Sequence, residues 1–329
     1  MRHGTTGFCR CVTVVTLVVG LIGLTGIADG YEAKPQLRIE PAERNAAAHT
    51  AMILAVAHAG ARLVAVGDHG VVLLSDDGGK VFHQARFVPV SSTLTGVTFV
   101  DRRRGWAVGQ WGVILATDDG GETWKLQRSD LKVDRPLFSV YFRNAEDGWA
   151  VGLWSLMLHT DNGGMSWKKV RLQPPPGYTK ADRNLYQMFS DSAGTIYIAC
   201  ESGFVLRSTD HGASWTYLRT GYRGSLWTGV ALQDRVVLVG GLRGRIYRSI
   251  NGGTTWTRVI TPYKSSITDM TQVGQSSVEA VALDGVTLFS RDDGVTFSGT
   301  QRSDRVVLTA VGESSASRAV VFSVNGPIG

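Results

Sequence analysis

The chain contains 329 residues, of which 40 are glycine and 43% are hydrophobic, and its formal net charge is +6. This length suits two average domains or one closed all-β domain, and the composition excludes a coiled coil and a disordered chain. The basic balance favours anionic partners. Because the sequence has no long run of Lys and Arg, we expect no nucleic-acid partner.

The first 30 residues have the organisation of an export signal. Arg2 and Arg10 give a positive start, residues 12–27 are nearly all apolar, and the small residues Ala28 and Gly30 follow. The apolar run is short for a membrane-spanning helix. We therefore predict a cleaved signal peptide over residues 1–30, with a retained N-terminal anchor as the alternative. Cys200 would then be the only cysteine left, which excludes an internal disulfide and is typical of a small core residue.

One eight-residue motif, the Asp box, occurs six times in the rest of the chain. It reads hydroxyl, any residue, Asp or Asn, any residue, Gly, any residue, Thr or Ser (Val81 in the first copy), aromatic. The copies occupy residues 75–82, 117–124, 160–167, 208–215, 249–256 and 290–297. Their closing aromatic residues are 41 to 48 positions apart, which is the length of one four-stranded propeller blade.

The residue types of the Asp box suit a tight turn between two strands. The Asp or Asn side chain accepts hydrogen bonds from backbone N–H groups, and Gly adopts the positive φ that the turn needs. We therefore expect structural turn roles for Asp77, Asp119, Asn162, Asp210, Asn251 and Asp292. Six cation sites are the alternative. Because the histidines are scattered and turns explain the glycines, we expect no metal and no cofactor.

Apolar strands precede each box in a fixed arrangement. A second turn lies five positions before every box, at Gly70, Gly112, Ser155, Gly203, Gly244 and Gly285. Each repeat thus has an inner, a second and a third strand, then the Asp-box turn and an outer strand. Radial repetition of such units predicts an all-β propeller.

The pattern restarts after the sixth box and ends at the chain terminus. Residues 305–311 and 319–323 are typical of the first two strands of a seventh blade, with a turn at Asn325. We predict that the alternating segment 36–40 supplies an outer strand and so closes the ring without an open edge. One seven-bladed propeller domain over residues 31–329 is expected, with a six-bladed ring and a loose tail as the alternative.

The repeats resemble one known family. Gly105–Gly109 and Gly148–Gly152 both read Gly-Trp-Ala-Val-Gly and lead to a box that ends in Trp, which is similar to the photosystem II stability and assembly factor family. The resemblance covers about residues 45–326 and suggests a bacterial relative. It implies a non-enzymatic propeller of the periplasm, or of the thylakoid lumen in a photosynthetic host, that binds subunits of a membrane complex during assembly. An accessory protein of an envelope transporter in a non-photosynthetic bacterium is the alternative.

Asp boxes also occur in sialidases, so a glycoside hydrolase or a glycan-binding protein is a contrasting interpretation. A sialidase needs an arginine triad, a nucleophile pair and an acidic proton donor. Its usual Arg-Ile-Pro opening appears here only in the interrupted segment 38–41, and Glu201 is the only glutamate in a turn that could face a central cleft. We therefore expect no enzymatic activity.

Turns between the second and third strands should share one face of the ring with the links between blades. Two tryptophans lie at these turns, where they either plug the central channel or form a contact surface. The links add basic residues. The residues that we expect to contact a partner are Trp111, Trp154, His69, Arg243, Arg219, Arg223, Lys264 and Arg183. We hypothesise that this face docks an acidic segment of a membrane-protein partner.

Two further segments have possible roles at a surface. The proline run at residues 174–176 predicts a stiff loop that projects as a finger from the same face. Residues 102–104 are three arginines on the opposite face, where they could reach lipid headgroups in a peripheral membrane association.

Overall fold

Seven small antiparallel sheets form the blades of a propeller in the computed structural model, which describes residues 39–314 and 318–328. Blades 1 to 6 have four strands each, in sequence order, and blade 7 has three described strands. Blades 1 and 2 contain β1 (Ile53–Ala59), β2 (Arg62–Gly67), β3 (Val72–Ser75), β4 (His83–Gln84), β5 (Leu94–Phe99), β6 (Gly105–Gly109), β7 (Ile114–Thr117) and β8 (Lys125–Arg128). Blades 3 and 4 contain β9 (Leu137–Phe142), β10 (Gly148–Gly152), β11 (Met157–Thr160), β12 (Lys168–Lys169), β13 (Leu185–Ser190), β14 (Ile196–Cys200), β15 (Phe204–Ser208) and β16 (Thr216–Arg219). Blades 5 to 7 contain β17 (Leu226–Ala231), β18 (Val237–Gly241), β19 (Arg245–Ser249), β20 (Thr257–Val259), β21 (Ile267–Gln272), β22 (Val278–Ala282), β23 (Val286–Ser290), β24 (Ser298–Gln301), β25 (Leu308–Glu313), β26 (Ala319–Ser323) and β27 (Gly326–Ile328).

The second strands lie in the core of the ring. Every residue of β6, β10, β14 and β18 is buried, because each sheet is covered by a neighbouring blade on both faces. These strands therefore read as continuous apolar runs and not as alternating ones. Cys200 closes β14 and is fully buried, as expected, and desolvation raises the pKa of its thiol to about 12.

Apolar packing closes the ring between the last blade and the first. The inner strand β1 packs against β5 on one side and against β25 on the other. Ile53 and Leu73 of blade 1 share one buried cluster with Ala310 and Phe322 of blade 7. The ring of Phe82 meets that of Phe322 edge-on, with 5.7 Å between centroids. The predicted seven-bladed architecture is confirmed.

Residues 36–40 were predicted to close blade 7, but the described residues of this segment lie at another part of the ring. Residues 36–38 lie outside the described residues, but Ile39 and Glu40 belong to no strand. Ile39 packs against the cluster between blades 1 and 2, and the Ala42 N–H donates to the Val88 carbonyl at 3.0 Å. These contacts place residues 39–42 beside blades 1 and 2, so the described end of the predicted strand does not lie in blade 7. The third described strand of blade 7 is the C-terminal β27, against which the 3-10 helix η1 (Ala46–Thr50) packs.

The Asp boxes form the turns between third and outer strands through repeated hydrogen bonds. In blade 2 the Thr117 hydroxyl accepts the Gly121 N–H at 3.1 Å and donates to Asp119 Oδ1 at 2.9 Å. The same carboxylate oxygen accepts the Thr123 N–H at 2.9 Å. In blade 4 the side-chain and backbone hydrogen bonds of Ser214, together with the Ser208 hydroxyl, lower the pKa of Asp210 to about 2. These hydrogen bonds hold the turn between the third and outer strands in both blades.

The boxes also connect successive blades. The Arg207 guanidinium of blade 4 donates to the Gly252 carbonyl in the box of blade 5 at 2.7 Å, and Arg248 of blade 5 donates to the Asp293 carbonyl in the box of blade 6 at the same distance. One face of the ring, which we call the Asp-box face, is therefore tied together by its turns. No helix among the described residues is long and apolar enough to span a membrane.

Candidate functional site

The face opposite the boxes, which we call the mouth face, carries six equivalent 3-10 turns between second and third strands. They span Asp68–Gly70, Gln110–Gly112, Leu153–Ser155, Glu201–Gly203, Leu242–Gly244 and Leu283–Gly285. The first residue of each turn donates its N–H to the residue just before the inner strand of the same blade. In blade 2 this bond joins the Gln110 N–H to the Thr93 carbonyl at 3.0 Å. The turns are thus held beside the entrance to the central channel.

The middle residue of every one of these turns adopts a left-handed backbone conformation. Its φ lies between 53° and 62° in all six turns. The residues at this position are His69, Trp111, Trp154, Ser202, Arg243 and Asp284. Non-glycine residues rarely adopt this conformation, which costs about 1 kcal/mol or more. Four of the eight residues predicted to contact a partner therefore occupy one repeated and strained position.

The two tryptophans at this position have different surroundings. Trp111 is half-buried and packs against the core of blades 1 and 2. Trp154 is 56% exposed, while its N–H donates to Asn184 Oδ1 at 3.1 Å and its carbonyl accepts a hydrogen bond from Arg135. Neither side chain lines the central cavity. The structure therefore does not support the interpretation that they plug the channel, and it leaves Trp154 as an exposed aromatic on the mouth face.

The long link between blades 3 and 4 does not project as the finger that its proline run predicts. Leu172 packs into the core cluster of blades 3 and 4, and Pro175 is buried as well. Arg183 lies over the Tyr178 ring with 4.1 Å from Cζ to the centroid, and Arg219 donates to the Pro176 carbonyl. Apolar burial and two arginines thus hold the loop against blade 4. Arg183 and Arg219, both predicted to contact a partner, have a structural role in this loop.

Three other predicted contact residues come together around the turn of blade 5. Arg243 is the middle residue of that turn, and the neighbouring Gly244 lies against the backbone of Lys264 in the link to blade 6. On the other side, Tyr222 donates its hydroxyl to the Leu242 carbonyl at 3.0 Å and so brings Arg223 to the same turn. We call Arg223, Arg243 and Lys264 the blade-5 cations.

The blade-5 cations are exposed and make no side-chain ion pair or hydrogen bond within the described part of the chain. Some link cations of the mouth face are paired, since Arg302 contacts Asp304 at 2.7 Å and Arg128 contacts Asp130 at 3.4 Å. Lys132, Arg171 and Lys180 in the links are exposed like the blade-5 cations, and within the described residues they form no ion pair either. His69 on blade 1 is largely exposed and lies 3.3 Å from the Asp68 carboxylate. The blade-5 cations are therefore one group of exposed, unpaired cations on this face, and they are the group that lies at a mouth-face turn.

A cavity of about 490 Å³ lies on the axis of the ring and is lined by the inner strands of all seven blades. Polar side chains from the third position of these strands join neighbouring blades across its wall. Gln187 accepts the Gly229 N–H at 2.7 Å, and Asp269 accepts the Val311 N–H at 3.0 Å. Desolvation at this position raises the pKa of Asp269 to about 6. The sequence analysis did not identify these channel residues, although they recur at equivalent positions of the repeat.

Glu201, the glutamate that could have faced the central cleft of a hydrolase, binds a backbone N–H outside the cavity. Glu201 Oε2 accepts the Asn184 N–H at 3.1 Å, and its side chain does not line the cavity. Within residues 39–314 and 318–328, no three His, Cys, Asp or Glu side chains lie close enough to hold a metal ion. The chemistry available at the mouth face is therefore that of exposed cations, exposed aromatic rings and an apolar channel.

These features define a seven-bladed Asp-box propeller whose distinctive surface is a basic mouth face. The resemblance to photosystem II assembly factors is confirmed by comparison with known proteins. The family model described as "Photosynthesis system II assembly factor YCF48" matches residues 83–187. The chain has no significant match among curated proteins.

Solved structures show the same fold at low sequence identity. YCF48 bound to D1 peptide is 17% identical with a TM-score of 0.68, and the match covers 89% of this chain and 97% of that one. YCF48 from Cyanidioschyzon merolae is 17% identical with a TM-score of 0.67, covering 85% and 94%. The extracellular domain of a putative hybrid two-component system from B. thetaiotaomicron is 10% identical with a TM-score of 0.68, covering 88% and 39%.

Proposed function

We propose that this chain is an exported, non-enzymatic propeller whose mouth face binds an acidic segment of a membrane-protein partner, so that it acts as an assembly or scaffolding factor for a membrane complex. The observation that carries the proposal is the group of blade-5 cations, which have no partner within the described chain. The structure of YCF48 with a D1 peptide supports it, because a protein of similar fold holds a peptide. The exported location rests on the sequence of residues 1–30.

Unpaired cations at the rim of a binding surface act mainly through long-range attraction. Charge complementarity increases the association rate and fixes orientation, and salt weakens both effects. Arg243 and Lys264 are solvated and need no rearrangement to meet a carboxylate. Binding of an acidic segment should therefore weaken strongly as ionic strength rises.

The test is crosslinking and affinity capture of the mature chain from native membranes, with quantification of every captured protein. The double variant Arg243→Glu/Lys264→Glu should reduce capture of the specific partner about tenfold at low salt, since like charges then face the acidic segment. Arg219 is left intact because its substitution would also release the loop at Pro176.

A matched control carries the same change of net charge on the Asp-box face. Lys80 and Arg102 are both exposed on that face, so Lys80→Glu/Arg102→Glu should leave capture unchanged. Equal loss of the partner with both double variants would indicate a nonspecific charge effect, and no loss with either would contradict the proposed docking face. Turnover of a fluorogenic sialoside by the wild-type chain would contradict the non-enzymatic assignment.

A further inference from the structure

Every inner strand contains a β-bulge at its second residue. The register between the inner and second strands shifts at this point in all seven blades. The bulged residues are Leu54, Thr95, Phe138, Tyr186, Trp227, Thr268 and Thr309, and all of them line the central cavity. A bulge adds one residue to the strand and changes the direction of its side chain. The seven bulges therefore form a ring of side chains inside the channel.

Two of the three threonines at this position join neighbouring blades, whereas the Thr309 hydroxyl has no hydrogen-bond partner among the described residues. The Thr95 hydroxyl lies 2.6 Å from the Leu137 carbonyl of blade 3, and the Thr268 hydroxyl lies 2.8 Å from the Leu308 carbonyl of blade 7. Each hydroxyl is also within hydrogen-bonding distance of a carbonyl in the second strand of its own blade. These two threonines have a clear structural function in the ring.

The aromatic residues at the same position cannot make these hydrogen bonds. They occupy three consecutive blades, and we call Phe138, Tyr186 and Trp227 the aromatic arc. Phe138 and Tyr186 stack, with 5.7 Å between centroids and 18° between planes. The Trp227 indole N–H makes no hydrogen bond within the described residues. Ring stacking between blades 3 and 4 thus takes the place of the threonine hydrogen bonds, and the aromatic arc lies beside the central cavity.

The aromatic arc is continuous with the proposed docking surface. Trp227 lies in the inner strand of blade 5, the blade whose turn carries Arg243. Met52, Leu283 and Val324 add an apolar entrance to the cavity. Its volume falls within the range of ligand pockets, which is about 300 to 1,000 Å³. A pocket with aromatic and apolar residues at its entrance, and with Gln187 and Asp269 in its wall, therefore lies beside the blade-5 cations.

We propose that the channel mouth is a pocket for an aromatic side chain of the bound segment. The aromatic arc packs against that side chain, while the blade-5 cations hold the acidic residues that flank it. This inference rests on the proposed docking of an acidic segment and specifies the residue that such a segment must carry. Aromatic anchors in desolvated pockets dominate many interfaces, whereas charges at the rim contribute less to affinity.

The experiment compares two synthetic peptides on the full-length mature chain by isothermal titration calorimetry. Both carry two acidic residues on each side of a central position, which is phenylalanine in one peptide and alanine in the other. The wild-type chain should bind the phenylalanine peptide about tenfold more tightly, as expected for burial of an aromatic side chain. Trp227→Ala should remove this preference, and Trp227→Phe should retain most of it.

Two further variants separate loss of the pocket from loss of folding. Leu54→Trp should fill the channel opposite the aromatic arc and also remove the preference, while thermal unfolding shows that the ring is intact. Phe87→Ala, at a half-exposed aromatic outside the cavity, should leave the preference unchanged. Equal affinity of both peptides for the wild-type chain would overturn the pocket but not the acidic docking. Absence of binding by both peptides would overturn the docking and the pocket together. A preference that persists in both Trp227→Ala and Leu54→Trp would place the anchor outside the channel and also overturn the inference.

Discussion

The indole N–H of Trp106 in blade 2 donates a hydrogen bond to the Gly163 carbonyl in the Asp box of blade 3, with 3.1 Å between N and O. Trp106 is buried and stacks face to face on Phe142 of the same next blade, with 3.5 Å between ring centroids. One side chain of the Gly-Trp-Ala-Val-Gly strand therefore contacts both the core and the turn of its neighbour.

Trp106→Phe should destabilise the ring by about 1–2 kcal/mol, because it removes one hydrogen bond and part of a buried ring. Gln127 still donates to the Gly163 carbonyl at 2.9 Å, so that oxygen keeps a partner. The midpoint of urea unfolding measures the effect. Trp154→Phe, at an exposed position, is the matched control and should change the midpoint little. Equal shifts of the unfolding midpoint for the two variants would show that the contact of Trp106 with blade 3 does not stabilise the ring.

Gly121→Val should be more destabilising than Gly221→Val, although both glycines have similar left-handed backbones. Their φ values are 90° and 82°. A Cβ at Gly121 would lie 3.1 Å from Leu74 Cδ2 and 3.2 Å from Val64 Cγ1, whereas a Cβ at Gly221 would meet nothing within 4 Å. Backbone strain alone should cost about 1–2 kcal/mol at either position, and overpacking against blade 1 should add about 2 kcal/mol at Gly121. Thermal unfolding of the two variants gives the difference directly.

Asp269 should make the chain less stable as pH rises from about 4 to about 6. Desolvation raises the pKa of its carboxyl to about 6 in the folded chain, above the usual value of 3.8. The folded state therefore holds this proton more tightly than the unfolded state, and its stabilising effect is lost as pH rises through the folded pKa. The loss amounts to at most about 3 kcal/mol.

Asp269→Asn should lack this contribution, so the difference in unfolding free energy between wild type and variant should change over this pH interval. Below pH 4 the opposite trend appears in both proteins, because hydrogen-bonded carboxylates such as Asp210, whose pKa is about 2, become protonated. Urea unfolding at several pH values provides the measurement. Parallel pH profiles for the two proteins would show that Asp269 keeps an ordinary pKa.

Arg219→Ala should release the proline-containing loop between blades 3 and 4. The variant loses the hydrogen bond to the Pro176 carbonyl and the contact of the guanidinium with the Phe204 ring, where Cζ lies 4.8 Å from the centroid. Limited proteolysis with trypsin should then cleave after Lys180 severalfold faster than in wild type, since local opening controls cleavage. Arg243→Ala removes a cation whose side chain has no partner among the described residues, and it should leave the cleavage rate unchanged. Similar rates in all three proteins would indicate that Leu172 and Pro175 suffice to hold the loop.

Repeated spacing made most of the ring predictable from sequence. The Asp boxes and the turns five positions before them recur in each blade, so the number of blades and the two faces follow from counting. The position of residues 39 and 40, the described end of the predicted segment, could not be found in this way. Alternation of polar and apolar residues indicates an edge strand but not the sheet that it joins, and Ile39 instead packs between blades 1 and 2.

The candidate site was less predictable, because it depends on contacts that spacing does not encode. Arg183 and Arg219 are basic link residues in the sequence, as Arg223 and Lys264 are, and only the structure separates those that hold a loop from those that are free. A pattern in the sequence could have identified the residues of the aromatic arc. Each inner strand begins with Ile or Leu, and the next residue is always the one that lines the channel.

The left-handed middle residues of the six mouth-face turns can differ in chemistry while the backbone of the turn stays the same. His, Trp, Ser, Arg and Asp all occupy the same backbone conformation, so the turn specifies a direction for the side chain without specifying its type. Except at Trp111, which packs against the core of blades 1 and 2, residues at this position should be exchangeable between blades at little cost in stability. The six turns are in effect display positions, and recognition of a different partner could evolve, or be engineered, through them while every blade keeps its core.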